Sequence, residues 1–242
     1  MIPELEGFRQ ALSDAWVSKG HELNDNIYEG SQHGLVKCMS TIYKGVRSTS
    51  AVFLDNKPNI TIASRVQAKK LIIEDNVAKG VVVVTDNGEE LEFFAKKEVI
   101  MSCGVFESPK LLMLSGIGEK RQLEANGITQ ILESKHVGQN LIDHPILSHV
   151  FKLKDGYGLD SHLLRAGPAK DAATAAYRKN HTGPYHSGLL ELVGFPRVDE
   201  RLMKFKEYRE AKEANGNVDP FGPDNQPHFE IDFVPMFCGK DP

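Results

Sequence analysis

Gly104, Ser108, Pro109, Ser115, Gly116 and Gly118 recur at short intervals within GVFESPKLLMLSGIG, residues 104–118. None of these residue types brings a proton donor or an activated nucleophile by itself; together they shape backbone. At the carboxyl end of a buried strand, a glycine lets main chain approach a ligand. A helix N-terminus just after it offers free N–H groups and positive potential. The chemistry such a unit can do is to hold a cofactor. Many strand–turn–helix units bind nothing, so the pattern also fits a purely structural role.

Other reactive side chains form no comparable set. His144 and His149 are separated by Pro145, and His181 and His186 flank a Gly-Pro turn, so neither pair has metal-ligand spacing. His144 reads as structural. No GxSxG elbow occurs, so no Ser-His-Asp nucleophile can be argued. Cys38, Cys103 and Cys238 lie far apart with no CxxC pair, which suits a reduced compartment or free buried thiols. Asn59-Ile60-Thr61 and Asn180-His181-Thr182 are glycosylation sequons, the first in an expected strand.

The elements that must position the 104–118 stretch follow from periodicity. Glu98-Val99-Ile100-Met101-Ser102-Cys103 is nearly all apolar and predicts a strand buried on both faces, as in a parallel sheet. Gly104 closes it. Ser108 predicts an N-cap with Pro109 at the first helical position, Leu111, Leu112 and Leu114 an apolar face, and Gly116 a left-handed stop. Upstream, VVVV at 81–84, Asp86-Asn87-Gly88 and LEFF at 91–94 predict a hairpin. Ile60 and Ile62, then Leu71, Ile72 and Ile73, predict two short strands or one bent strand.

Further out, Phe8, Leu12 and Trp16 predict an amphipathic helix over 4–19 that Gly20 ends. Residues 24–56 predict loop with a helix near 47–54. Residues 164–180 predict a helix, 180–184 a turn, 199–213 a solvated helix, 214–227 loop, and 228–237 a strand with Phe229, Ile231 and Phe233 on its buried face.

The 242 residues carry a formal charge of -4, with 40% hydrophobic and 26% charged residues. That is an ordinary globular balance, and it argues against nucleic acid or an anionic membrane as a main partner. No stretch reaches the roughly 20 apolar residues of a bilayer span. The acidic, amphipathic N-terminus does not read as a signal peptide.

Residues 104–118 resemble the second signature of the glucose–methanol–choline (GMC) family of flavin oxidoreductases. Gly104, Ser108, Pro109, Leu111, Leu112, Ser115, Gly116, Ile117 and Gly118 match it, while Val105 stands where a smaller residue is usual. Asp25-Asn26, Thr41, Gly45-Val46-Arg47-Ser48 with Ser50, Ala51 and Leu54, then Pro58-Asn59-Ile60-Thr61, are similar to further family stretches in the family's order. So is Val137-Gly138-Gln139-Asn140-Leu141-Ile142-Asp143-His144, and Gly183-Pro184 suits the family's substrate domain.

The resemblance implies an α/β (α+β) chain. A partial FAD-binding, Rossmann-like domain would cover 1–145, and a partial antiparallel-sheet substrate domain 146–242. It implies FAD as cofactor and a small-molecule alcohol as substrate, oxidised at its CH–OH group: a histidine takes the hydroxyl proton and hydride passes to flavin N5. It places Ala68, a valine in most relatives, in backbone contact with the adenine. It puts the Cys103-Gly104 turn near the ADP part, with Cys103 a buried small hydrophobe.

Two family features have no counterpart here: the GxGxxG turn that holds the pyrophosphate, and the catalytic histidine with its partner. No residue of this sequence is assigned a catalytic role. The expectation is a chain truncated at both ends relative to the family and inactive alone. The alternative is a non-catalytic remnant or partner-binding module. Uncovered sheet edges would favour a complementing chain or self-association.

Overall fold

The computed structural model describes residues 3–223 and 226–237. The apolar stripe near the N-terminus forms helix α1, Glu6–Ser18. Strand β1, Gly34–Lys37, and a small hairpin of β2, Ile42–Tyr43, and β3, Val46–Arg47, follow. The helix expected near 47–54 is a single 3-10 turn, Ser50–Phe53. Strands β4, Val66–Glu74, β5, Val77–Thr85, and β6, Glu90–Phe94, form a meander. Helix α2, Gly104–Leu114, leads to β7, Ile117–Gly118, α3, Lys120–Ala125, and β8, Leu132–Glu133. Then come α4, Asp160–Leu163, α5, Pro168–Asn180, and β9, Leu192–Phe195. Last are α6, Asp199–Leu202, α7, Lys206–Ala214, and β10, Ile231–Phe233.

Residues 56–147 pack as one compact unit, and those before 56 pack with those after 147 as another. The resemblance divides the chain at 145/146, by role; packing draws a different line. Its cause is β1, which pairs antiparallel with β9 while β10 pairs with the other side of β9, in the order β1-β9-β10. Trp16 of α1 packs with Leu35 and Leu192 on one face of that sheet, and Phe233 closes the group. Leu5, Phe8 and Leu159 form a second cluster. Phe229 and Ile231 stay partly exposed, so the expected 228–237 strand shrinks to its central residues.

Arg9 lies in this unit with only 5% of its surface exposed. Its guanidinium donates to Glu191 and to Glu6, both at 2.7 Å. Ser187 donates to the other oxygen of Glu191 at 2.6 Å. A buried charge is tolerable only when paired in this way. The expected 199–213 helix is two helices, α6 and α7, separated by a turn at 203–205.

In the 56–147 unit, Asp75 and Asn76 both take positive φ and join β4 to β5 in a tight hairpin, and β6 pairs with β5 as the third strand. Ile60 and Ile62 lie in irregular, exposed chain, so β4 begins only at Val66 and the Asn59 sequon is not in a strand. Residues 98–103 also form no strand, and Ile100 is 78% exposed. An apolar run becomes a strand only when a neighbour completes its hydrogen-bond ladder. No named strand pairs with 98–103 among the described residues.

Candidate cofactor-binding site

β4 is an edge strand of the meander. Its pairing with β5 slips between Ala68 and Lys70, which leaves Lys69 as the extra residue of a bulge. Bulges re-aim the adjoining backbone and concentrate at sheet edges and beside functional sites. Ala68, the expected adenine contact, sits at this irregularity and is exposed. A small side chain there leaves the strand edge accessible.

α2 starts five residues earlier than expected, at Gly104 rather than Pro109. The Ser108 hydroxyl accepts from the Cys103 backbone N–H at 3.1 Å, which satisfies a donor ahead of the helix. Pro109 therefore lies inside the second turn, where its missing N–H costs one intrahelical bond. Gly104 has φ +90°, a conformation that disfavours any residue with a Cβ, yet a Cβ there would meet nothing within 4 Å. Backbone conformation, not crowding, requires the glycine, and the space above it is open. Cys103 is exposed rather than buried, because the 98–103 run is not packed in a sheet.

The end of the stretch is a fastening. Ser115 is 6% exposed. Its hydroxyl donates to the Leu111 carbonyl at 2.6 Å and accepts from the Leu71 N–H at 2.8 Å. The helix end is thereby tied to strand β4. Gly116 has φ +85°, and a Cβ on it would lie 2.6 Å from the Thr129 carbonyl oxygen. That close approach lets Ile131 donate to the Gly116 carbonyl at 2.8 Å, and β7 then pairs with β8 in parallel.

A second polar cluster, illegible in the sequence, lies in the other unit. Asp219 and His228 are nearly inaccessible, with side chains 2% and 1% exposed, and join at 2.8 Å. Arg197 spans Asp199 at 2.7 Å and Asp219 at 2.8 Å. Burial pushes the Asp219 carboxyl up, but the Phe221 backbone N–H and the His228 ring outweigh it and bring it down to about 2. The ligand atoms of Asp199, Asp219 and His228 lie within 4.8 Å of one another, as a metal site would need.

The geometry does not suit a metal ion. The Val198 N–H donates to His228 Nδ1 at 3.0 Å, so Nε2 must carry the proton it gives to Asp219. A metal at Nε2 would need that nitrogen bare, and Arg197 already occupies the carboxylates. The cluster is an ion-pair clasp between three segments. His144 is exposed, and its backbone N–H donates to its neighbour Asp143 at 2.8 Å. Burial and the negative charges of Asp232, Glu230 and Glu191 push the Cys38 thiol up, so it is not an activated nucleophile.

The mixed helix-and-sheet fold matches that of FAD-dependent oxidoreductases. The GMC oxidoreductase family matches residues 2–146, and the chain belongs to that family. The family's cofactor is FAD.

Known proteins agree. The crystal structure of a formate oxidase superposes with a TM-score of 0.95 and 58% identity, covering 98% of this chain and 41% of that one. Structures concerned with FAD modification in the formate oxidase of Aspergillus oryzae match equally well. Glucose methanol choline oxidoreductase atC of Aspergillus terreus is 34% identical over 81% of this chain and 31% of its own length. Oxygen-dependent choline dehydrogenase of Photobacterium profundum is 36% identical over 58% of this chain and 25% of its own length. The chain thus spans about a third or less of these curated relatives. Among the described residues, no helix is long and apolar enough to cross a membrane.

Proposed function

We propose that this chain forms the nucleotide-holding part of an FAD-dependent oxidoreductase acting on a small organic substrate. The carrying observation is the open, positive-φ turn at Gly104, which starts the helix that packs on β4, together with the exposed, bulged edge of β4 at Ala68. The backbone of Ala68 and the Cys103-Gly104 turn would hold the ADP part of FAD. Bound there, FAD supplies the hydride acceptor. The residues present fit this role, because strand edge and helix start both expose backbone and no side chain fills the space over Gly104.

The family supports oxidation of the CH–OH group of an alcohol. The 58% identity to a formate oxidase over 98% of the chain favours a second substrate, formate. Oxygen uptake by the full flavoprotein carrying these residues, with formate and with simple alcohols in turn, separates the two. Turnover of formate alone would reject the alcohol reading, and turnover of alcohols alone would reject formate. By the family resemblance, none of the 242 residues stands at the family's base position. Purified alone they should give no formate- or alcohol-dependent dye reduction, and measurable reduction would overturn that reading.

A further inference from the structure

We propose that Ser115 is a positioning residue for the flavin nucleotide, setting the placement of the Ala68 strand against the Gly104 turn. The inference rests on the site proposed above. The Ser115 hydroxyl bonds to Leu111 and Leu71 rather than to Ala68 or the turn; it acts through the elements that carry them.

α2 begins at Gly104 and ends at Leu114, next to Ser115. The Ser115 hydroxyl meets the Leu71 N–H at 2.8 Å, on the same strand as Ala68 and just beyond the Lys69 bulge. One buried hydroxyl therefore ties the strand that carries Ala68 to the C-terminal end of the helix that begins at Gly104. It does so with both of its hydrogen-bonding roles used, donating to Leu111 and accepting from Leu71. The Leu71 N–H faces the open edge of the sheet, where no strand among the described residues answers it. Ser115 is its partner, and alanine would leave a buried donor unsatisfied. The backbone next to Ser115 is held as well, since the Gly116 carbonyl accepts from Ile131 and Gly116 itself abuts Thr129. The strand cannot slide along the helix while this contact holds, so the bulge keeps Ala68 at one place relative to Gly104.

The test compares Ser115→Ala, Ser115→Thr and Leu123→Ala, the last removing a core side chain that is 1% exposed in the same unit. Amide exchange and FAD dissociation constants are measured for each. Ser115→Ala should speed exchange at Leu71, and also at Ala68 and Cys103-Gly104. It should weaken FAD binding about tenfold, the worth of one lost interaction. Ser115→Thr, which keeps a hydroxyl, should recover most of the affinity. Leu123→Ala should lose thermal stability but bind FAD with unchanged affinity wherever it is folded.

Unchanged FAD affinity in folded Ser115→Ala would overturn the proposal. So would an affinity loss in Leu123→Ala that scales with its loss of Tm as in Ser115→Ala. If the parent chain retains no FAD at all, the site reading fails separately. The coupling of strand to turn through Ser115 is then decided by exchange: acceleration confined to Leu71 rejects it, and spread to Ala68 and Cys103 upholds that coupling alone.

Discussion

Asp219 is the residue whose charge the fold controls most tightly. Its carboxyl sits at about 2 instead of 3.8, so it is harder to protonate folded than unfolded. Its stabilisation is full above about pH 4 and is lost as pH falls through about 2; a shift of this size corresponds to at most roughly 2–3 kcal/mol. Asp219→Asn should remove that acid-range dependence and lower Tm at neutral pH, because Arg197 would lose its ion pair with Asp219. An unchanged acid-unfolding curve in the variant would show that the clasp does not govern stability. At Gly116, alanine must take φ +85° and bring its Cβ to 2.6 Å from the Thr129 carbonyl. The strained φ alone costs about 1–2 kcal/mol. Thermal melts should show Gly116→Ala less stable than the parent, and an equal Tm would contradict the close approach.

Only the left-handed conformation of Gly116 was visible residue by residue. Arg197, Asp219 and His228 are far apart in sequence, and no motif links them. Ser115 and Gly116 stood out as types at fixed spacing, but their partners Leu71 and Thr129 are contacts of the fold. Cys103 read as buried because its strand was expected to be buried.

At the scale of elements, local patterns were legible and pairings were not. The Phe8, Leu12 and Trp16 stripe and the hairpin around Asp86-Asn87-Gly88 form where periodicity and turn residues place them. Residues 98–103 have the composition of a buried strand but no ladder partner among the described residues. β1 and β9 were missed because each is four residues long and gains its stability from the other. The Lys69 bulge leaves no mark in composition, since it is a mismatch of register between two strands. α2 rests on Leu111, which is 5% exposed. Leu111→Ala should cost about 2–5 kcal/mol by opening a cavity between helix and meander. Chemical denaturation of the chain would measure this, and a cost below that of an exposed leucine would mean that α2 does not need its apolar face.

For the whole molecule, membership in the GMC family rests on the match of the family's model to residues 2–146, with which the fixed motif spacing agrees. The resemblance already carried fold class and cofactor, because the 104–118 stretch is long and its spacing specific. Substrate was beyond it. Several large apolar side chains of the 56–147 unit face solvent, among them Ile100, Phe106, Ile142, Ile146 and Leu147, at 78, 68, 86, 83 and 85% exposure. That exposure is the observation behind the proposal that the chain associates, with itself or with a complementing polypeptide.

The central claim is that Ala68 and the Cys103-Gly104 turn hold the flavin nucleotide. Its most direct test is the visible absorption spectrum of the purified chain after equilibration with FAD and removal of free cofactor. Retained flavin bands, abolished by Gly104→Val without loss of the helical circular-dichroism signal, are the result expected here. A folded chain that retains no flavin, or a Gly104→Val variant that retains as much as the parent, would contradict it.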